Sequence, residues 1–489
     1  MQERSLAVQE RASRRASVAI AHGDGIGPEI IESTLAILEA AGANFDIHRV
    51  EMGEQVYRRG ISSGIAQHDL DALAETGVLL KAPVTTPQGG GHKSLNVTIR
   101  KSFGLYANVR PCKSLAPYVR TLHPDMDVVI IRENEEDVYG GIEHRQTDDV
   151  TQCLKLITRS GCERIIRYAF EYARANGRSR VSCFTKDNIM KITDGLFHRV
   201  FEEIATEYPD IENNHLIVDI GAARLATQPE QFDVIVLPNL YGDILSDVAA
   251  ELCGSVGMAG SANIGDGFAM FEAIHGSAPD IAGTGTANPS GLLNAAVMML
   301  AHIGQVDVAQ SVHDAWLRAI EDGVHTRDIF GQHSIGCYGT GAFTTEVIAR
   351  LGMQPRKLER QRVDAPVRLQ PAKAANGDRR PGKKTRQGVD IFVDWSGEPD
   401  ALAASLQAIR VPSLTLSMIT NRGTKVWPDG NPQTRCVDHW RCRFSGDAPT
   451  ARDVVATISA VAEAGYDVIK MEGLYAFDGN AGYSLGQGQ

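Results

Sequence analysis

The chain has 489 residues, of which 43% are hydrophobic, 22% charged and 6% aromatic, and it carries a net charge of −11. This is ordinary globular composition at a length of about three folding units, which excludes a mainly disordered or fibrous protein. No apolar run approaches the ~20 residues of a membrane helix, and the acidic balance argues against nucleic acid, so neither a membrane nor a nucleic-acid partner is expected.

Eight cysteines are scattered without a C-x-x-C pair, which suggests neither a zinc site nor a disulfide scaffold. The first seventeen residues mix Glu3 and Glu10 with several arginines, a pattern that fits neither a secretory signal nor an acid-free transit peptide. A cytoplasmic enzyme is the expectation.

In chain order, Ser17 to Ile20 reads as a strand, Gly23-Asp24-Gly25-Ile26-Gly27 as a turn, and Pro28 as the first residue of a helix. Ile30, Ile31, Thr34, Leu35, Ile37, Leu38 and Ala41 give that helix one apolar face before Gly42 ends it. Pro28 stands where the third glycine of G-x-G-x-x-G belongs, so the turn suits a phosphate cradle or a purely structural strand-to-helix turn equally. Strand and helix then alternate: strands at 127–131, 180–185, 216–219 and 234–237, and a helix at 163–175. This pattern predicts mostly parallel sheet.

Ser94-Leu95-Asn96-Val97-Thr98-Ile99-Arg100 is followed by Arg110 in Asn-Val-Arg-Pro and by Arg132 in Ile-Arg-Glu-Asn. An extended segment puts Ser94, Asn96, Thr98 and Arg100 on one face, and a helix still pairs Asn96 with Arg100. Three guanidinium forks converging would suit a polycarboxylate; separately they are ordinary surface arginines. In Asn239-Leu240-Tyr241-Gly242-Asp243-Ile244-Leu245-Ser246-Asp247, two carboxylates four residues apart repel on a helix unless a divalent cation joins them, and hard oxygen ligands suit magnesium or manganese. Asp219, at the end of the preceding strand, is a third candidate ligand, with solvated helix-start carboxylates as the alternative. Glu272 to Gly283 is a polar, glycine-broken loop containing His275, and a helix from Gly291 to His302 follows Asn288-Pro289.

From Gln354 to Gln387 proline and basic residues replace apolar periodicity; residues 356–386 hold eleven Lys and Arg against three Asp and Glu. The segment reads as a solvated linker with a weaker suggestion of local anion binding. Strands at 389–393, 414–419, 439–444 and 467–471 with helices at 399–409 and 449–464 then form a separate α+β domain of ferredoxin-like pattern.

Taken together, these segments resemble the decarboxylating β-hydroxyacid dehydrogenases, the family of isocitrate, isopropylmalate and homoisocitrate dehydrogenases, over residues 18 to about 352. The resemblance rests on Gly-Asp-Gly-Ile-Gly-Pro-Glu at 23–29, the arginine series, Tyr139 in Glu-Asp-Val-Tyr-Gly, Lys186 in Thr-Lys-Asp-Asn, the Asp243 and Asp247 pair, and His275-Gly276-Ser277-Ala278-Pro279. It implies a two-lobed α/β fold with mostly parallel sheets. Residues 18–105 with 255–352 would form the large cofactor domain and 106–254 the small domain carrying substrate, metal and dimer contacts. Residues 353–387 would be a linker and 388–489 a C-terminal α+β extension, which resembles that of a minority of bacterial isocitrate dehydrogenases.

The resemblance assigns Ser94, Asn96, Arg100, Arg110 and Arg132 to the substrate, the Ser94 and Asn96 pair favouring isocitrate over the branched isopropylmalate. It assigns proton transfer to Tyr139 and Lys186, and Mg2+ or Mn2+ to Asp219, Asp243 and Asp247. Cofactor contacts fall to Thr86, Glu272, His275, Gly276, Ala278, Asp280, Ile281 and Asn288. Family sites are shared between two subunits, so a homodimer is implied. NADP-using relatives place lysine and tyrosine directly after His-Gly-Ser-Ala-Pro; here the pair is Asp280-Ile281, whose carboxylate suits a free ribose 2′-hydroxyl and repels a phosphate. NAD is therefore the expected cofactor, although Tyr241 and Thr284 depart from residues frequent in relatives. The implied activity is oxidative decarboxylation of isocitrate to 2-oxoglutarate. Homoisocitrate or isopropylmalate dehydrogenase is the near alternative and a noncatalytic regulatory subunit the distant one.

Overall fold

The computed structural model describes residues 15–86, 94–363, 367 and 382–486. The linker expectation at 364–366 and 368–381, and the reading of residues 1–14, fall outside them. The chain divides into two units, residues 1–140 with 155–371, and 141–154 with 372–489. Residues 141–154, placed in the small domain from sequence, thus belong with the C-terminal unit.

The first unit is built on ten strands: β1 (Ala16–Ala21), β2 (Phe45–Arg49), β3 (Val78–Lys81), β4 (Ala107–Lys113), β5 (Asp127–Glu133), β6 (Arg180–Thr185), β7 (Glu212–Ile217), β8 (Val234–Leu237), β9 (Gly260–Ile264) and β10 (Ala269–Ala273). Their order in the sheet is β2-β1-β3-β10-β9-β4-β5-β8-β6-β7. Both flanks are parallel, while β10–β9, β9–β4 and β4–β5 are antiparallel. Val78-Leu79-Leu80 and Val234 to Leu237 are buried throughout, the continuous apolar run expected of strands covered on both faces. This sheet, with helices packed on it, is the α/β architecture expected from the sequence.

The helices that matter for the site are α1 (Gly27–Ala40), α2 (Leu95–Ser102), α3 (Arg159–Ala175), α4 (Thr193–Ala205), α5 (Val218–Thr227), α6 (Asn239–Leu252) and α7 (Ser290–His302). The open choice at 94–100 resolves as a helix, with Ser94 just before its first residue. One reading is corrected: Asp219 does not end a buried strand. The apolar string Leu216-Ile217-Val218 looks like strand to its end, but β7 stops at Ile217 and Asp219 lies in the first turn of α5, exposed.

The glycine turn at 23–27 is structural. Gly25 has φ 59°, and a Cβ on it would lie 1.9 Å from the Ser277 carbonyl oxygen, so only glycine fits. Ile26 N–H donates to that same carbonyl at 2.9 Å, and Asp24 accepts from the N–H groups of Glu54 and Thr85. The turn thereby fixes the 275–278 loop to the start of α1.

In the second unit β11 (Lys384–Asp394), β12 (Thr415–Asn421), β13 (His439–Ser445) and β14 (Asp467–Phe477) combine with α8 (Pro399–Gln407) and α9 (Ala451–Glu463). The four strands lie in the antiparallel order β14-β11-β13-β12, the ferredoxin-like arrangement. The last strand outruns its sequence reading by six residues because it pairs along the whole of β11. Thr450 and Asp453 form a capping box at the start of α9. The 141–154 hairpin joins this unit through Thr147 to Asp438 at 2.6 Å and Lys470 to Gln152 at 3.1 Å.

Candidate active site

A cavity of about 190 Å³ opens where the antiparallel middle of the large sheet meets α2, α6 and the 273–276 loop. Its walls include Ser94, Asn96, Arg100, Arg110, Arg132, Tyr139, Asp243, Glu272, His275 and Gly276. Residues separated by nearly two hundred positions are thus brought together. Lys186 and Asp219 do not line it. Instead Lys186 Nζ, partly buried, lies 2.7 Å from the exposed Asp219 Oδ1.

The three arginines are buried, and each is held by side chains from other elements. Arg132, on β5, donates from Nε to Asn239 Oδ1 at 3.0 Å and pairs through Nη1 with Asp243, both partners lying on α6. Gly242 makes this possible, since a Cβ there would fall 2.6 Å from Arg132 Cγ. Arg110, on β4, reaches Ser246 at 2.5 Å and lies 3.3 Å from Asp247 and 3.5 Å from Asp243. Arg100 bonds Glu272 at 2.9 Å, and Lys81 pairs with the same carboxylate at 2.7 Å.

Register explains the polar floor beneath them. Asn263 on β9 pairs with Asn108 on β4, and Lys81 with Glu272 across β3 and β10. Arg110 Nε donates to Asn108 at 2.6 Å, Asn108 to Asn263 at 2.8 Å, and Asn263 to Glu272 at 2.9 Å. A buried hydrogen-bond relay therefore links Arg110 to Arg100 through three strands, β4, β9 and β10, and such fully connected networks fix side-chain geometry.

Burial, with repulsion from Arg100 and Arg110, pushes the Arg132 guanidinium down to about 9. Burial also lowers Arg110, against the pull of Asp243 and Asp247. Burial raises the Tyr139 phenol to about 12, and Asp243 adds to this against Arg132; the hydroxyl, donating to Asp243 Oδ2, stays protonated at neutral pH. Asp243 is held below the usual carboxylate range: burial opposes ionisation, but Arg132, Arg110 and Tyr139 outweigh it. Asp247 goes the other way, raised by burial and by Asp243. A bound cation would relieve that repulsion, and two carboxylates one helical turn apart are the oxygen donors that Mg2+ or Mn2+ takes, so the residues fit the metal.

Several polar atoms at the cavity are buried and unpaired among the described residues: Asn96 Oδ1, Arg100 Nε and His275 Nε2. Buried polar groups are normally satisfied, so these point to a polar ligand. Burial lowers His275, and its Nδ1 lies 3.0 Å from the Gly276 carbonyl. Thr86 Oγ1 is 3.5 Å from Ser94 Oγ. Glu272 is consumed by Lys81 and Arg100, and Asn288 by Asp328 and Ser290 N–H; both are engaged inside the protein. Ala278 adopts φ 37° in the loop, while Asp280 and Ile281 are exposed just beyond it.

Sequence reading missed Lys81, Asn108 and Asn263 as supports, and a second network. Lys155 Nζ lies 3.0 Å from Asp137 and 3.1 Å from Asp194, both fully buried. Asp194 accepts from Lys186 N–H at 2.7 Å and Tyr241 OH at 3.1 Å, while Asp137 accepts from Leu240 N–H at 2.9 Å. Tyr241 thus tethers the Lys186 loop to α6. The available signal was a charged residue inside an apolar run, as in Val78-Leu79-Leu80-Lys81.

The model for isocitrate/isopropylmalate dehydrogenases matches residues 17–350, and that for the C-terminal domain of bacterial isocitrate dehydrogenases matches 384–489. A Rickettsia bellii protein named isocitrate dehydrogenase [NADP] is 52% identical over 96% of this chain and 99% of its own. A Thermus thermophilus protein of the same name is 45% identical over 97% and 96%. The crystal structure of the TT0538 protein from Thermus thermophilus superimposes with a TM-score of 0.93 at 44% identity, over 97% of this chain and 96% of that one.

These relatives overturn the expectation of NAD. The physical error was to let one side chain decide: Asp280 is exposed, and an exposed charge is worth at most about 1 kcal/mol, too little to exclude a phosphate. With matched sequence and fold, the chain belongs to the isocitrate/isopropylmalate dehydrogenase family, in the bacterial group that carries the isocitrate dehydrogenase C-terminal domain.

Proposed function

We propose that the chain catalyses NADP-dependent oxidative decarboxylation of isocitrate to 2-oxoglutarate and CO2, as a cytoplasmic homodimer. The observation that carries this reading is the group of three buried arginines around one cavity whose walls also hold the unpaired side-chain atoms of Asn96, Arg100 and His275. Excess buried positive charge recognises a compact polycarboxylate, and the forks orient it. Ser94 and Asn96 offer a hydroxyl and an amide to the third carboxylate, where an isopropyl group would leave both unpaired; this disfavours isopropylmalate. The NADP-named relatives support the cofactor.

Lys186 would accept the C2 hydroxyl proton as hydride leaves for the nicotinamide. Tyr139, protonated, would then deliver a proton to the carbon that loses CO2. Asp243 and Asp247 would hold Mg2+ or Mn2+, which when bound polarises the C2 oxygen as a Lewis acid. Asp219 would join them from the partner subunit, with Lys186 of the partner subunit completing the same site. Exposed Ile189, Ile192, Ile220, Ile244 and Val248 support this dimer. They alternate along the chain with Lys186, Asp219, Asp243 and Asp247, so covering them with a second copy would bring the two halves together. All eight cysteines are free, in keeping with a reducing cytoplasm.

Initial rates with isocitrate and Mg2+ test the reading, with NADP against NAD and with isopropylmalate and homoisocitrate as controls. Fast turnover of isocitrate with NADP is expected. Preference for another hydroxyacid, or no turnover, refutes it, and light scattering that finds a monomer refutes the dimer.

A further inference from the structure

We propose that Asp187, His198 and His215 form a second divalent-cation site, one for the borderline ions Zn2+, Co2+ and Ni2+, beside Lys186 and separate from the Asp243 and Asp247 pair. Three elements meet there: the loop leaving β6 supplies Asp187, α4 supplies His198, and edge strand β7 supplies His215. One ligand atom from each lies within 4.8 Å of the other two. His198 Nδ1 is 2.7 Å from Asp187 Oδ2, and His215 Nε2 is 3.9 Å from Asp187 Oδ1.

The imidazole rings stack with centroids 3.5 Å apart and 17° between planes. Both can turn about χ2, a broad torsion, to aim a nitrogen at a shared ion. Thr185 Oγ1, now 2.8 Å from His215 Nε2, would yield that nitrogen to the ion, and His198 has an outer partner in place, since Glu202 Oε1 lies 3.5 Å from its Nε2 while Nδ1 faces Asp187. Such partners orient ligating histidines. Two nitrogens and one carboxylate select zinc-like ions, whereas the all-oxygen pair on α6 selects Mg2+ or Mn2+. The two sites therefore discriminate by donor chemistry.

The position gives the site a consequence. Asp187 adjoins Lys186, whose N–H is already held by Asp194. An ion clamping Asp187 to α4 and β7 would restrict the reach of the Lys186 ammonium and slow turnover. That consequence rests on the proposed role of Lys186; the binding does not.

The test uses the metal-stripped full chain titrated with Co2+ under saturating Mg2+. Expected are one Mg2+-resistant equivalent and the intense visible absorption of a low-coordinate, nitrogen-bound Co2+, displaced by Zn2+. His198→Asn and His215→Asn should each weaken binding by more than the roughly 10–100-fold that losing an outer partner costs, and Asp187→Asn provides a third check. Absence of the Co2+ band in the unmodified chain, or a band unchanged in all three variants, overturns the site whatever the enzyme's substrate. Zn2+ inhibition that excess Mg2+ does not relieve, and that His198→Asn abolishes, is expected in isocitrate turnover. Binding without inhibition overturns the link to Lys186.

Discussion

Each unit of this chain buries arginines against carboxylates in a sheet, and the two arrangements differ in a way that separates a binding site from a structural pair. In the C-terminal unit Arg443 on β13 faces Asp390 on β11, with Nε to Oδ1 and Nη2 to Oδ2 both at 2.8 Å and both side chains at most 5% exposed. The two charges meet in a bidentate fork that takes up both carboxylate oxygens, with Arg441 Nε a further 3.8 Å from Asp390, Arg443 Nη1 left without a partner among the described residues, and the guanidinium 4.8 Å from the Tyr483 ring centroid. In the large unit Arg100, Arg110 and Arg132 share their carboxylates, repel one another and surround a cavity with unpaired atoms. A closed pair stabilises a fold; an open cluster is stabilised by an anion that arrives.

The largest expected effect falls on a residue outside the cavity. Lys186→Met should lower turnover by about 10²–10⁴-fold, the usual contribution of an acid–base group, while leaving thermal stability close to that of the parent because its Asp219 partner is exposed and remains solvated when the lysine is removed. Steady-state rates beside a melting curve decide this, and turnover within tenfold of the parent refutes the role. Mixing this variant with Tyr139→Phe sharpens it. If sites are shared, mixed dimers hold one cavity with both groups intact and recover activity that neither parent has.

Next come two arginine replacements with opposite signatures. Arg443→Met leaves the buried Asp390 carboxylate with only the more distant Arg441 at 3.8 Å, and breaking one side of a buried pair costs about 3–5 kcal/mol. Denaturant unfolding should show that loss, with kcat/KM per folded molecule unchanged. Arg110→Met should shift the balance: loss of charge-assisted hydrogen bonds to the substrate worth about 1.5–3 kcal/mol should cut kcat/KM for isocitrate by roughly 10–150-fold, with a smaller unfolding loss than Arg443→Met because relief of repulsion on Arg132 offsets part of what Asn108 and Ser246 lose. Equal stability losses in both variants would erase the distinction between closed and open clusters.

What the sequence disclosed follows the range of the interactions. Asp243 and Asp247 were legible because one helical turn joins them, and the arginines because each sits in a compact motif. The relay under them was not: Asn263 meets Asn108 at a separation of 155 residues, and Glu272 meets Arg100 at 172. Strand register creates the first pair, and the approach of α2 to β10 the second. The turn at 23–27 left two readings open because both require glycine, and it took the approach of the Ser277 carbonyl to choose. Asp219 was misplaced since apolar content does not mark where a strand becomes a helix. The cofactor was misjudged because the single pair Asp280-Ile281 was allowed to decide it, and sequence did not show that Asp280 is exposed.

The smallest effect concerns a buried carboxylate that lacks what Asp390 has. Glu133 adjoins Arg132 on β5, yet its hydrogen bonds come from the backbone N–H groups of Glu135 and Glu136. Burial raises its acid from the usual 4.5 to about 7. The folded chain therefore binds a proton that the unfolded chain has released between those values. Its stabilising contribution is complete below pH 4.5 and is lost as pH rises through 7. The loss is at most about 1.4 kcal/mol per pH unit. Glu133→Gln keeps an acceptor for the same N–H groups and removes the titration. Relative to the variant, the parent should lose on the order of 1 kcal/mol between pH 5.5 and 6.5 in denaturant unfolding, and parallel pH profiles would show that Glu133 is compensated as fully as Asp390.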